Sequence, residues 1–65
     1  MEYMVVLHRN GREIETLYWS GSLGETVRLA RVVAAECNAD FFRLVEFADG
    51  ACEVFLERAP FQGRG

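Results

Sequence analysis

The stretch from Ser22 to Cys37, SLGETVRLARVVAAEC, is the one long helical pattern in the chain, and a two-strand unit lies on either side of it. Ser22 and Glu25 form S-x-x-E, a capping box. The serine hydroxyl accepts from the N–H three residues on, and the glutamate carboxylate reaches back to the serine N–H. Leu23, Val27, Ala30, Ala34 and Cys37 recur at helical spacing and share one face, which Thr26 and Val33 widen. Asn38 suits the left-handed position that ends many helices. Arg28, Arg31 and Ala35 fall on the opposite, wet side. Leu29 and Val32 lie toward the edge of the stripe, as scattered surface aliphatics or as part of a contact with another chain.

Two turn signals frame this helix. Asn10-Gly11 separates YMVVLHR from REIETLYW, and an Asn-Gly pair between such runs is a strong hairpin signal because a type I′ turn needs positive φ at both positions. A two-residue loop there predicts Arg9 opposite Arg12, Leu7 opposite Ile14, Val5 opposite Thr16 and Tyr3 opposite Tyr18. The second face then holds His8 with Glu13, Val6 with Glu15, and Met4 with Leu17, and Trp19 lies beyond. Asp49-Gly50 separates FFRLVEFA from ACEVFLER and predicts a second turn of the same type. It sets Phe47 opposite Cys52, Val45 opposite Val54 and Arg43 opposite Leu56. On the other face it sets Glu46 opposite Glu53, Leu44 opposite Phe55 and Phe42 opposite Glu57. Two glutamates directly across from each other repel, so that face belongs in water, and Val45, Phe47, Cys52, Val54 and Leu56 turn toward the helix.

The order is strand, strand, helix, strand, strand. It predicts an α+β fold, a ββαββ two-layer sandwich with one helix on one face of a four-stranded, mainly antiparallel sheet. The first and third strands are expected in the centre. Residues 1–58 are expected to form a single domain, and residues 59–65, APFQGRG, read as a flexible tail whose Phe61 can fold back.

One helix covers one face of a sheet, and the other face of an antiparallel sheet is normally polar. In this register it is not: Met4, Val6, Leu17, Trp19, Phe42, Leu44 and Phe55 all fall on it, with Glu13, Glu15, Glu46, Glu53 and Glu57 as a rim. Contiguous exposed apolar patches mark interaction sites. The expectation is a homodimer, or docking of another protein or an apolar ligand, through those seven residues. A β-bulge is the feature that would return some of them to the core.

Length sharpens this reading. At 65 residues the ordering cost, about 1.5 kcal/mol per residue, nearly cancels the burial gain, and association is a usual remedy. The hydrophobic fraction of 51% is too high for disorder. No apolar run approaches the roughly 20 residues that span a bilayer, and the start lacks a signal-peptide pattern. A cytoplasmic location is the default, and no membrane contact is expected. All seven basic residues are arginine, which reads as a bacterial-like composition bias.

The chemistry-bearing residues are few. His8 beside Glu13 could act as a general base pair, but a cross-strand ion pair is the simpler reading. SGSLGE lacks the lysine of a phosphate loop. Cys37 and Cys52 stand in no C-x-x-C and read as buried, reduced thiols. No cofactor, metal site or catalytic residue is assigned, and the chain reads as non-enzymatic. The alternative is a nucleic-acid-associated regulator using Arg9, Arg12, Arg28 and Arg31, against which stands the net charge of −3. The opening hairpin and the SGSLGETVRLARVVAAE that follows resemble the hairpin-then-helix of HicB-type antitoxins over the first half of the chain. The acidic, proline- and glycine-containing stretch that precedes the helix in that family is absent, so no residue role carries over.

Overall fold

The computed structural model describes residues 1–61; residues 62–65, part of the expected tail, lie outside the described residues. It contains β1 (Glu2–Arg9), β2 (Arg12–Ser20), α1 (Leu23–Glu36), β3 (Phe41–Ala48) and β4 (Gly50–Arg58). The strands make one antiparallel sheet in the order β2-β1-β3-β4, so the first and third strands are central, as expected. With α1 on one face, this is the ββαββ two-layer sandwich that the pattern predicts.

Local chemistry explains where the elements begin and end. The Ser22 hydroxyl accepts from the Glu25 N–H, and the Glu25 carboxylate accepts from the Ser22 N–H, both at 3.1 Å. Asn38 takes φ 55° just beyond the helix. Asn10 and Gly11 have φ 54° and 77°, which closes the first hairpin as a type I′ turn requires.

The same capping contacts yield two expected results. Ser22→Ala should cost about 1 kcal/mol, read as a lower urea midpoint at unchanged slope. Hydrogen bonds from the Ser22 backbone, and next from its side chain, hold the Glu25 carboxyl below its ordinary range. A group lowered in the folded state stabilises above the unfolded pKa and loses that contribution as the pH falls through the folded one. The gap in midpoint between wild type and Glu25→Ala, which removes the carboxylate itself, should therefore narrow on acidification through and below the glutamate range.

Each hairpin carries one irregularity, and these reverse part of the expected register. In β2 the pairs Arg9–Arg12 and His8–Glu13 are as predicted, but Leu7 then lies opposite Glu15. Ile14 is the extra residue, and beyond it Val5 faces Leu17 and Tyr3 faces Trp19. In β4, Leu44–Phe55, Arg43–Leu56 and Phe42–Glu57 are as predicted, but Val54 is an extra residue and Val45 faces Glu53. The second turn differs accordingly: Ala48 pairs with Gly50, which has φ 98°, rather than with Ala51.

Residues opposite each other share a face. Tyr3, Val5 and Leu7 turn toward α1 as expected, joined by Phe42 and Leu44 of β3. Val5, Leu7, Phe42 and Leu44 pack with Val27, Ala30, Ala34 and Ala39 as the core, and Leu17, Phe55 and Phe61 lean on it. The expectation that Val45, Phe47 and Leu56 face the helix is overturned: they lie on the other face, Val54 is the bulge residue, and Cys52 keeps to the helix-facing side opposite Glu46. Its premise was a Glu46–Glu53 repulsion, which the Val54 bulge removes. Glu46 lies opposite Cys52, while Glu53, on the other face, meets Arg43 at 3.3 Å.

The helix-facing side tolerates Glu57 because Arg31 reaches it. Arg31 Nε and Nη2 both donate to the Glu57 carboxylate, Nη2 at 2.9 Å, with side-chain exposures of 23% and 12%. Arg31 therefore belongs to the edge of the core, not to the outer helix face. Leu23, expected inward, is exposed. After β4 the Ala59 N–H donates to the Asp40 carbonyl at 2.8 Å, and the Phe61 ring lies 5.6 Å from that of Phe42.

Candidate functional site

The sheet face away from α1 is covered by no element among the described residues. The pairings set its side chains in four rows across β2, β1, β3 and β4: Ser20, Glu2, Phe47, Ala51; Tyr18, Met4, Val45, Glu53; Thr16, Val6, Arg43, Leu56; and Glu13, His8, Phe41, Arg58.

Of the seven candidate interface residues, Met4 and Val6 lie on this face. Phe42 and Leu44 are fully buried under the helix, and Leu17 and Phe55 are half-buried against the same core. Trp19 is on the helix-facing side at the end of β2, where the helix does not cover it. The physical reason is the pair of bulges. Ile14 moves Leu17 and Trp19 to the helix side, and the loss of the Glu46–Glu53 clash frees Phe42, Leu44 and Phe55 to face α1. Tyr18, Val45, Phe47 and Leu56 take the vacated places on the open face. Tyr18 is 73%, Phe47 40% and Leu56 41% exposed. A sequence signal for this existed in β3, where FFRLVEFA is apolar on both alternating faces, the mark of a strand buried on two sides.

The two halves of the open face differ. The half nearer the Asn10-Gly11 turn is polar and internally satisfied. His8 stacks on Phe41 with ring centroids 4.4 Å apart and planes 5° from parallel, and the Arg58 guanidinium lies 5.1 Å from the Phe41 centroid. Arg43 stretches across the face: its Nε–H donates to His8 Nε2 at 3.1 Å and its Nη1 to Glu53 at 3.3 Å. Its stem lies beside Val6, its direct cross-strand neighbour, which is buried although no element covers it. The expected His8–Glu13 ion pair is not formed. Glu13 accepts from the Thr16 hydroxyl at 2.7 Å, and His8 Nε2 is an acceptor for arginine.

The other half carries most of the apolar side chains, beside Glu2, Ser20 and Glu53. Met4, Tyr18, Val45 and Phe47 form a contiguous group across β2, β1 and β3. At the end of the sheet beside them, Glu2, Tyr3, Tyr18, Trp19, Ser20 and Phe47 line a hollow of about 250 Å³.

The four arginines of the nucleic-acid reading do not gather into one surface. Arg9 donates to the Cys37 carbonyl at 2.6 Å, at the C-terminal end of α1. Arg31 is held by Glu57, Arg28 lies by Glu25 near the opposite end of the helix, and Arg12 sits at the first hairpin turn. Cys37 is half-buried and Cys52 exposed, both as free thiols, so the expectation of two buried thiols is corrected for Cys52. Its strand end extends past the helix. Among the described residues no three His, Cys, Asp or Glu side chains converge as a metal site, and no helix is long and apolar enough to cross a membrane.

Comparison with protein-family models, with curated proteins and with solved structures finds no match for this chain.

Proposed function

We propose that the chain is a non-enzymatic protein-interaction module that pairs with a second copy of itself through the open sheet face. The observation that carries this is exposed Tyr18 and Phe47 beside half-buried Met4 on a face covered by no element, with Leu56 exposed on the same face and Val45 buried between them. Solvated antiparallel faces are polar, and apolar groups of this kind mark contacts.

Size supports the reading. The molecule measures 31 × 27 × 14 Å, so its broad face is of the order of the ~800 Å² per partner that a standard interface buries. Face rather than edge is favoured because both edge strands carry their bulge, a feature that blunts strand-to-strand pairing. The total exposed area of 4209 Å² matches the roughly 4,200 Å² that folded monomers of 7.4 kDa expose. Pairing is read as a concentration-dependent step. The non-enzymatic reading rests on His8 and Glu13, which are each engaged elsewhere.

The test is the mass in solution across concentration for wild type and Phe47→Glu. Wild type should move from one copy to two as concentration rises. Phe47→Glu should stay single at every concentration while keeping the wild-type circular dichroism and melting temperature at high dilution. A wild type that remains single at high concentration overturns the proposal.

A further inference from the structure

We propose that the hollow at the end of the sheet, lined by Glu2, Tyr3, Tyr18, Trp19, Ser20 and Phe47, is a binding site for a small organic cation of the methylated-ammonium class. Four of the six lining residues are aromatic and one is an acid. Tyr3 is buried, so the rings open to a ligand are Tyr18, Trp19 and Phe47; such rings attract a cation with an apolar shell, which loses little hydration. By strand alternation Tyr18 and Phe47 belong to the open face and Tyr3 and Trp19 to the helix-facing side, so the hollow wraps the end of the sheet.

Charge at this end points the same way. Glu2, Glu46, Asp49 and Glu25 lie at the starts of β1 and α1, the end of β3 and the turn after it. The positive groups there are Arg28, beside Glu25, and the amino group of Met1. No described side chain makes an ion pair with Glu2, so its carboxylate is available to a ligand. Within 250 Å³ the site holds an ammonium headgroup and a short stem, not a drug-sized molecule. A free small molecule is the occupant we assign, and a methylated lysine side chain, which shares the headgroup, is the alternative that the titration separates.

Trp19, the single tryptophan of the chain, reports occupancy by its fluorescence. The titration uses choline chloride against sodium chloride at equal ionic strength and against 3,3-dimethyl-1-butanol, the neutral isostere of choline. It is run at a dilution at which the chain is a single copy, so failure of this site and failure of self-pairing are read separately. Choline should give a saturable change in the millimolar range, with the neutral isostere at least ~3-fold weaker. Glu2→Gln and Tyr18→Ala, both at exposed positions, should each weaken choline about 2- to 5-fold. A trimethyllysine peptide should bind no more tightly than choline. Equal response to choline and its isostere, no saturable response, or a peptide more than about tenfold tighter than choline overturns the assignment.

Discussion

Phe42→Ala is expected to remove most of the stability of the fold. The ring is fully buried between α1 and the sheet, lies 5.9 Å from the Phe55 ring and 5.6 Å from the Phe61 ring, and faces Leu7 across the central strand pair. Truncating a buried phenylalanine costs about 3–5 kcal/mol, the transfer of the ring plus the cavity it leaves. A 65-residue domain has on the order of 3–10 kcal/mol in total. Urea unfolding of the variant should therefore show a midpoint near zero denaturant or an already unfolded chain. Phe47→Ala, on the open face of the same strand, should cost under about 1 kcal/mol when the chain is a single copy. A Phe42 variant as stable as the Phe47 variant would mean that the two faces of β3 are reversed.

The second large effect is expected at Arg31 and Glu57. Arg31→Met takes away the cation that donates three hydrogen bonds to a carboxylate whose side chain is 12% exposed and whose cross-strand neighbour is Phe42. Loss of the guanidinium beside so little-exposed a carboxylate costs about 1–3 kcal/mol. Replacing both members by apolar groups removes the carboxylate as well as the cation, so Arg31→Met with Glu57→Leu should recover most of the loss. Chemical denaturation of the two single variants and the double variant measures the coupling directly. Additive losses, with the double variant the least stable, would show that the pair contributes little and that Glu57 is sustained by other groups.

These two sites also show what could be read in the sequence. The capping box, the Asn10-Gly11 turn and the left-handed Asn38 were legible because each rests on three or four neighbouring residues whose conformational needs are local. The number of strands followed from the alternation of turn and apolar run; their order did not, since nothing local says which strands neighbour each other. The faces of β2 and β4 were not legible, because a single extra residue in an edge strand reverses every side chain beyond it. Ile14 and Val54 are ordinary strand residues, and nothing local marks either as a bulge. The Arg31–Glu57 pair was hidden for a different reason: 26 residues separate its members, and only the finished packing places an arginine of α1 over the edge of β4. With Arg31 read as a wet residue and Glu46 set against Glu53, the glutamate-bearing side of β3 and β4 looked like the outside. The expectation of an apolar uncovered face was drawn from that register; five of its seven residues belong to the helix-facing side, and the exposed apolar side chains of the open face are Tyr18, Phe47 and Leu56.

The most direct test of self-pairing through this face is methyl NMR followed across protein concentration. Signals of Met4, Val45 and Leu56 should shift or broaden as concentration rises, while those of Val5, Leu7, Leu44 and Val27, on the other side of the sheet, should hold still. Concentration-dependent changes confined to Leu23, Leu29 and Val32 of the helix, or no change at any residue, would contradict it.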